Sequence, residues 1–322
     1  MDSVALQTLA SPVILFFILG LLAAALKSEL AIPEAMAKGM SVYLMIAIGL
    51  KGGVAMAESG VNADVAAALA SGIAASFAIP FAAYAMLRGF GRLGKLDAGA
   101  VAAHYGSVSV VTFVTAVEIL EVGGIGPAGY MVAVLAVMET PAILSGIYLA
   151  RRGEHRSSRQ HSELWREVFL NASVVLLLGS FAIGWIAGPT GFEDVKPLFD
   201  TGFKGVLCLF LLDMGLIAAR RLMQSRAING RLVALAVLFP LVNGALGVLA
   251  GTVIGLDTGS AAIFGVLCAS ASYIAVPAAM RHALPQADPG IYLTMSLSLS
   301  FPFNIIINIG LIAWLARVLA GM

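Results

Sequence analysis

Two short stretches of this 322-residue chain combine residue types that bind small ions. One reads His104-Tyr105-Gly106-Ser107-Val108-Ser109-Val110-Val111-Thr112. The other reads Cys268-Ala269-Ser270-Ala271-Ser272-Tyr273-Ile274-Ala275-Val276-Pro277. Gly106 permits dihedrals that other residues avoid. Pro277 removes one backbone donor and disfavours helix at Val276. A helix broken at such a place frees N–H and C=O groups, and the helix that restarts carries roughly half a positive charge at its N-terminus. Two such ends facing each other suit a small anion, with serine hydroxyls as added donors. Hydroxyls and freed carbonyls equally suit Na+. The same small residues also serve close helix packing, so each pair alone leaves both readings open.

Other polar residues stand inside apolar runs. Asp213 and Glu139 are candidates to bind a cation or a proton, or to pair with Lys38, Lys204 or a helix end. Glu118 and Glu121 fall near the membrane interface, His104 reads as a hydrogen-bonded packing residue, and Asn243, Asn304 and Asn308 read as amides that satisfy neighbouring helices. Cys208 and Cys268 read as buried small hydrophobes, with no Cys/His metal spacing. There is no phosphate-binding glycine loop, zinc-binding His pair or nucleophile elbow. The expectation is therefore neither an enzyme nor a self-contained ATP-driven pump. The net charge of +1 gives no reason to expect a nucleic-acid partner.

The elements that must carry these residues are membrane helices. Of the residues, 60% are hydrophobic and 11% charged, against about 25% charged in soluble domains. Runs of about 20 apolar residues, each long enough to cross a bilayer, recur throughout. Spans are expected near 11–27, 34–50, 62–88, 97–121, 126–150, 164–188, 198–219, 231–255, 258–284 and 288–317. The run from Ser11 lacks a basic leader and a small-residue cleavage site, and reads as a retained first helix. The fold class is an all-α membrane protein of about ten helices, the fourth and ninth discontinuous, with lipid around it. Fourteen of the 19 Lys and Arg fall in alternate loops on one side and three on the other. This bias puts both termini outside the cytoplasm.

The two halves look alike. Leu96-Asp97-Ala98-Gly99 resembles Leu256-Asp257-Thr258-Gly259, and each leads to a serine pair. Glu139-Thr140-Pro141 falls where Ser300-Phe301-Pro302 falls, and Lys38-Gly39 matches Lys204-Gly205. Each copy holds an odd number of spans, so the copies sit in opposite orientations, as in inverted-repeat transporters. The organisation expected is a first five-helix repeat over 1-150, a basic cytoplasmic linker over 151-163 and a second repeat over 164-322.

The chain resembles the bacterial sodium-dependent bicarbonate transporters first recognised in cyanobacteria, nearly end to end. The resemblance rests on Ile32-Pro33-Glu34-Ala35, Ile48-Gly49-Leu50-Lys51-Gly52-Gly53, Gly106-x-Val108-Ser109-x-x-Thr112, and Ala269-Ser270-x-Ser272-x-Ile274-x-x-Pro277 with Arg281 and Pro285. It implies core and gate domains, a homotrimer, an elevator-like shift, and a bacterial inner-membrane location. It also implies bicarbonate and Na+ held between the two broken helices, at Gly106, Val108, Ser109, Thr112, Ser270 and Ser272. The stretches as a whole make Gly106, Ser107, Val108, Ser109, Ser270, Ala271, Ser272 and Tyr273 the candidate substrate site. Ser109, Thr112 and Ser272 are the candidate ligands of the coupling Na+. Members of the cyanobacterial type are inhibited by a small PII-like cytoplasmic protein.

Three departures stand out. Tyr273 replaces an Asp of the cyanobacterial type, Ala275 replaces a serine, and Val110 and Val111 replace a glycine and a serine. Loss of a carboxylate and of hydroxyls weakens the expected Na+ site. Another small anion, organic ones included, driven by Na+ or H+, is the alternative cargo. A ligand-binding membrane receptor without net flux is the alternative of another class. The insert between halves is also short, which weakens the case for regulation through it.

Overall fold

A computed structural model describes residues 11–60, 63–152, 172–225 and 228–321. Among these, every regular element is helical: α1 (Pro12–Ala25), α2 (Glu34–Ser59), α3 (Ala63–Gly89), α4 (Lys95–Gly106), α5 (Val110–Val122), α6 (Met131–Arg151), α7 (Ala172–Glu193), α8 (Phe203–Gln224), α9 (Gly230–Val253), α10 (Thr258–Ala269) and α11 (Ala275–Ala283), then α12 (Pro289–Leu319) with π turns inside it. Most of the expected 151-163 linker lies outside the described residues, as do Arg156, Arg159, Arg166 and Arg226 of the charge pattern.

Among the described residues, eight helical spans are long and apolar enough to cross a membrane. Two of them join neighbouring pieces: Lys95–Val122 takes in α4 and α5, and Pro197–Gln224 takes in a π turn and α8. Helices α1 and α10, with 14 and 12 residues, are shorter than the ~20 residues that a full crossing takes.

Local chemistry sets the helix starts. Pro12 occupies the first turn of α1, where its missing N–H is not needed. The Asp257 carboxylate accepts from Ser260 N at 2.9 Å and caps α10, and Asp288 accepts from Gly290 N at 2.7 Å and caps α12. Helix α7 bends at Gly188, whose φ of 61° lies in the left-handed region, just before Pro189.

Two groups of helices result. In one, α1 packs along α8 and α2 along α7. These contacts are made backbone to backbone. A Cβ on Gly20 would stand 2.1 Å from Leu212 O, and one on Gly215 2.3 Å from Phe17 O. Likewise a Cβ on Gly53 would stand 2.0 Å from Phe181 O, and one on Gly184 2.2 Å from Leu50 O. Lipid tails are as apolar as leucine, so membrane helices associate by such close fit rather than by escape from water. In the other group α3, α4 and α6 pack on one another, as do α9, α10 and α12. Apolar side chains such as Leu19, Phe77, Ile186 and Leu246 point outward, a surface suited to lipid.

Candidate functional site

Helix α4 ends at Gly106, and the chain runs extended through Ser107 (φ −89°, ψ 172°) to Ser109 (φ −112°, ψ 112°) before α5 begins. Gly106 is required by packing. A Cβ there would stand 2.3 Å from the Pro80 ring of α3 and 2.9 Å from Ala142 of α6. Ser107 Oγ donates to Glu139 O at 3.1 Å. Ser109 caps the restarting helix, its Oγ accepting from Thr112 N at 3.2 Å and from the Thr112 hydroxyl at 3.0 Å.

A second interruption follows α10, over residues 270–274. Ser270 Oγ donates to Leu267 O at 2.9 Å and accepts from Ser109 N at 3.1 Å. Ser272 N donates to His104 O at 2.9 Å. The two interruptions are thus tied to each other directly. Asn304 Nδ2 donates to Ala269 O at 3.0 Å, and Ser272 Oγ accepts from Val276 N at 3.4 Å. Backbone groups freed in a low-dielectric interior must find such partners. Pro277 stands inside the first turn of α11, where proline is tolerated, so it starts a helix here and Val276 is helical.

The interruptions border a small cavity of about 20 Å³. One wall carries Val108, Ser109, Ser272, Tyr273 and Glu139, together with the valines at the start of α5. The opposite wall comes from the other helix group: Ser41, Leu44 and Met45 of α2 and Phe210 of α8. The cavity therefore lies on the boundary between the two groups. Its size admits about one water-sized guest and is too small for bicarbonate. Two of the residues that line it each carry a buried polar atom without a hydrogen-bond partner, Glu139 Oε2 and Tyr273 OH. The tyrosine hydroxyl is directed toward Ser109 without a hydrogen bond of normal geometry.

The sequence from residue 12 to residue 317 matches the family model of the Na+-dependent bicarbonate transporter superfamily. The chain belongs to that superfamily. Comparison with curated protein sequences finds no match.

In this bicarbonate-transporter superfamily member, the expected site residues divide. Val108, Ser109, Ser272 and Tyr273 reach the cavity. Ser270 stands behind it, holding Ser109 N. Gly106, Ser107, Ala271 and Thr112 do not line it: Gly106 packs against Pro80, Ser107 holds α6, and the Thr112 hydroxyl donates to Ser109. Glu139 was legible as a carboxylate in an apolar run, but its place at the cavity was not. Ser41 and Phe210 carry no signature, because they approach from the opposite helix group.

The remaining polar residues have plain roles. Lys38 pairs with Glu34 at 2.7 Å, and Lys204 pairs with Glu118. Neither lysine is thus the partner of Asp213 or Glu139. Asp213 is buried with Oδ2 unpartnered, away from the cavity. His104 Nδ1 lies 2.7 Å from Ala100 O and its ring stacks on Tyr292. Asn308 donates to Pro240 O and to Asn304 Oδ1. Cys208 and Cys268 are free thiols in apolar surroundings. A larger cavity of about 160 Å³ adjoins the first through the shared Val114, with Lys51, Glu118 and Glu121 on its walls.

Proposed function

We propose that the protein carries out Na+-dependent bicarbonate uptake, with the anion held between the two helix interruptions. One observation carries this reading: the interruptions meet at a single cavity on the boundary between two helix groups. The N-termini of α5 and α11 both begin there, offering positive helix ends to an anion. Ser109 and Ser272 are the hydroxyl contacts of bicarbonate, and Ser272 is also a contact of the coupling Na+. Transport proceeds by an elevator-like shift of the group holding α3 to α6 and α9 to α12 against α1, α2, α7 and α8. That shift must widen the cavity to admit the anion.

The architecture in this reading is ten membrane helices in two inverted repeats, residues 1-150 and 164-322, with α4–α5 and α10–α11 as the discontinuous fourth and ninth. The packing supports it. A Cβ on Gly53 would meet Phe181 O and Trp185 N, and one on Gly215 would meet Phe17 O and Leu21 N. The same contact is thus made once by α2 on α7 and once by α8 on α1. This register sets Lys38-Gly39 about one helical turn from Lys204-Gly205, so the packing glycines are the better repeat marker. The assembly is a homotrimer in a bacterial inner membrane with both termini outside the cytoplasm.

The test is uptake of labelled bicarbonate into proteoliposomes, with and without an inward Na+ gradient. Na+-dependent uptake that disappears in Ser109→Ala supports the reading, and saturable binding with no net flux sinks it. A second cargo is favoured by one feature, the apolar lining from Val108, Val110, Val111 and Phe210. Competition by small organic anions that exceeds competition by unlabelled bicarbonate would support that cargo instead.

A further inference from the structure

The resemblance places an acidic residue where Tyr273 stands, and losing it would leave the coupling cation without a counter-charge. The structure contains another carboxylate at the same cavity. Glu139 is 2% exposed, sits at mid-length in α6, lines the cavity beside Ser109, Ser272 and Tyr273, and has an Oε2 without any hydrogen-bond partner. We propose that Glu139 is the charged ligand of the coupling Na+, with Ser272 and the Tyr273 hydroxyl as its further oxygen ligands; this rests on the reading of the cavity as a transport site.

Three observations converge on it. The first is chemical. The residues that line the cavity include one glutamate, three serines and one tyrosine, and no Lys, Arg or His. Hard cations take oxygen ligands. The second is size. A cavity of about 20 Å³ holds one water-sized guest, which matches a bare monovalent cation and excludes bicarbonate. The third is cost. A carboxylate at membrane depth is expensive unless it meets a counter-charge, and the lysines considered as its partners are engaged elsewhere. Asp213 shares the unpartnered oxygen but not the cavity.

The placement also explains why cation and anion must travel together. Bicarbonate approaching Ser109 and Ser272 meets the negative charge of Glu139. With Na+ bound to Glu139, the same site becomes neutral and then attractive to the anion. Cation binding first and anion binding second is the order this geometry imposes. In the cyanobacterial pattern the acid belongs to the second interruption. Here it comes from α6, whose carbonyl at Glu139 already anchors Ser107 of the first.

The test uses full-length protein in detergent and reads Na+ binding apart from transport, by thermal stability in NaCl against choline chloride and by equilibrium binding of radioactive Na+. A ligand that binds only the folded state raises its melting temperature. The wild type is expected to gain stability in Na+. Glu139→Gln, close to isosteric, is expected to melt normally in choline chloride, lose the Na+ increment and bind Na+ at least about tenfold more weakly, the change that ~1.4 kcal/mol makes. Tyr273→Phe is expected to weaken Na+ binding less, and this arm with Glu139→Asp carries the test should the glutamine variant fail to fold. A Na+ increment retained in Glu139→Gln overturns the proposal. So does a wild type whose stability ignores Na+ while uptake follows a proton gradient. Wild-type uptake that needs Na+ but survives unchanged in Glu139→Gln keeps the transport reading and removes this residue from it. Absence of any wild-type uptake, with Na+ binding intact and dependent on Glu139, removes the transport reading and keeps the site.

Discussion

The two interruptions are built from similar sequences and are not equally tight. At the first, three residues separate α4 from α5, and Ser109 holds both the amide and the hydroxyl of Thr112, at 3.2 and 3.0 Å. Pro80 and Ala142 press on Gly106 from two sides. At the second, five residues separate α10 from α11. Ser272 caps Val276 N at a longer 3.4 Å, the Tyr273 hydroxyl makes no hydrogen bond of normal geometry, and Ile274 is 43% exposed. The first interruption is therefore a rigid wall and the second an adjustable one. A site that must enlarge to take bicarbonate gains from this inequality. The rigid side keeps Ser109 in place while the looser side gives way.

The contrast can be broken or sharpened by substitution. The largest effect is expected from Gly106→Val, because its Cβ alone would stand 2.3 Å from the Pro80 ring. Overpacking of this kind costs about 1–3 kcal/mol, read as a lower melting temperature together with lost uptake. Ser109→Ala comes next. It removes the cap of α5, worth about 1 kcal/mol, and a cavity-facing oxygen, so both melting temperature and bicarbonate affinity should fall. Ser272→Ala should lower affinity with a smaller loss of stability, since the bond it deletes is the longer one. The smallest effect belongs to Tyr273→Phe, which keeps the ring packed on Phe301 at 5.0 Å and should leave the melting temperature in choline chloride near that of the wild type. Equal stability losses at Ser109 and Ser272 would erase the distinction between the two walls.

Much of this was legible in the sequence because membrane physics leaves few choices. Long apolar runs must be helices, and the serine pairs announced both interruptions to within two residues. The boundaries were less legible. Pro277 reads as disfavouring helix at Val276, yet in the first turn of α11 it is a start. Thr112 reads as a ligand, yet it does not line the cavity, and its hydroxyl donates to the neighbouring Ser109. Side-chain types could not show that placement. Neither could they show that Glu139 reaches the cavity or that Ser41 and Phe210 face it. Those placements depend on how α6 and the opposite helix group pack, and such packing leaves no local pattern in the chain.

The central claim is that one anion touches both interruptions at once. A double-mutant cycle on bicarbonate affinity, measured at saturating Na+ with Ser109→Ala, Ser272→Ala and the double variant, tests it most directly. Residues that share a ligand couple, whereas independent sites add within about 0.5 kcal/mol. The account expects the double variant to lose clearly less affinity than the two single losses combined. Strict additivity, or a loss at one serine alone, would contradict it.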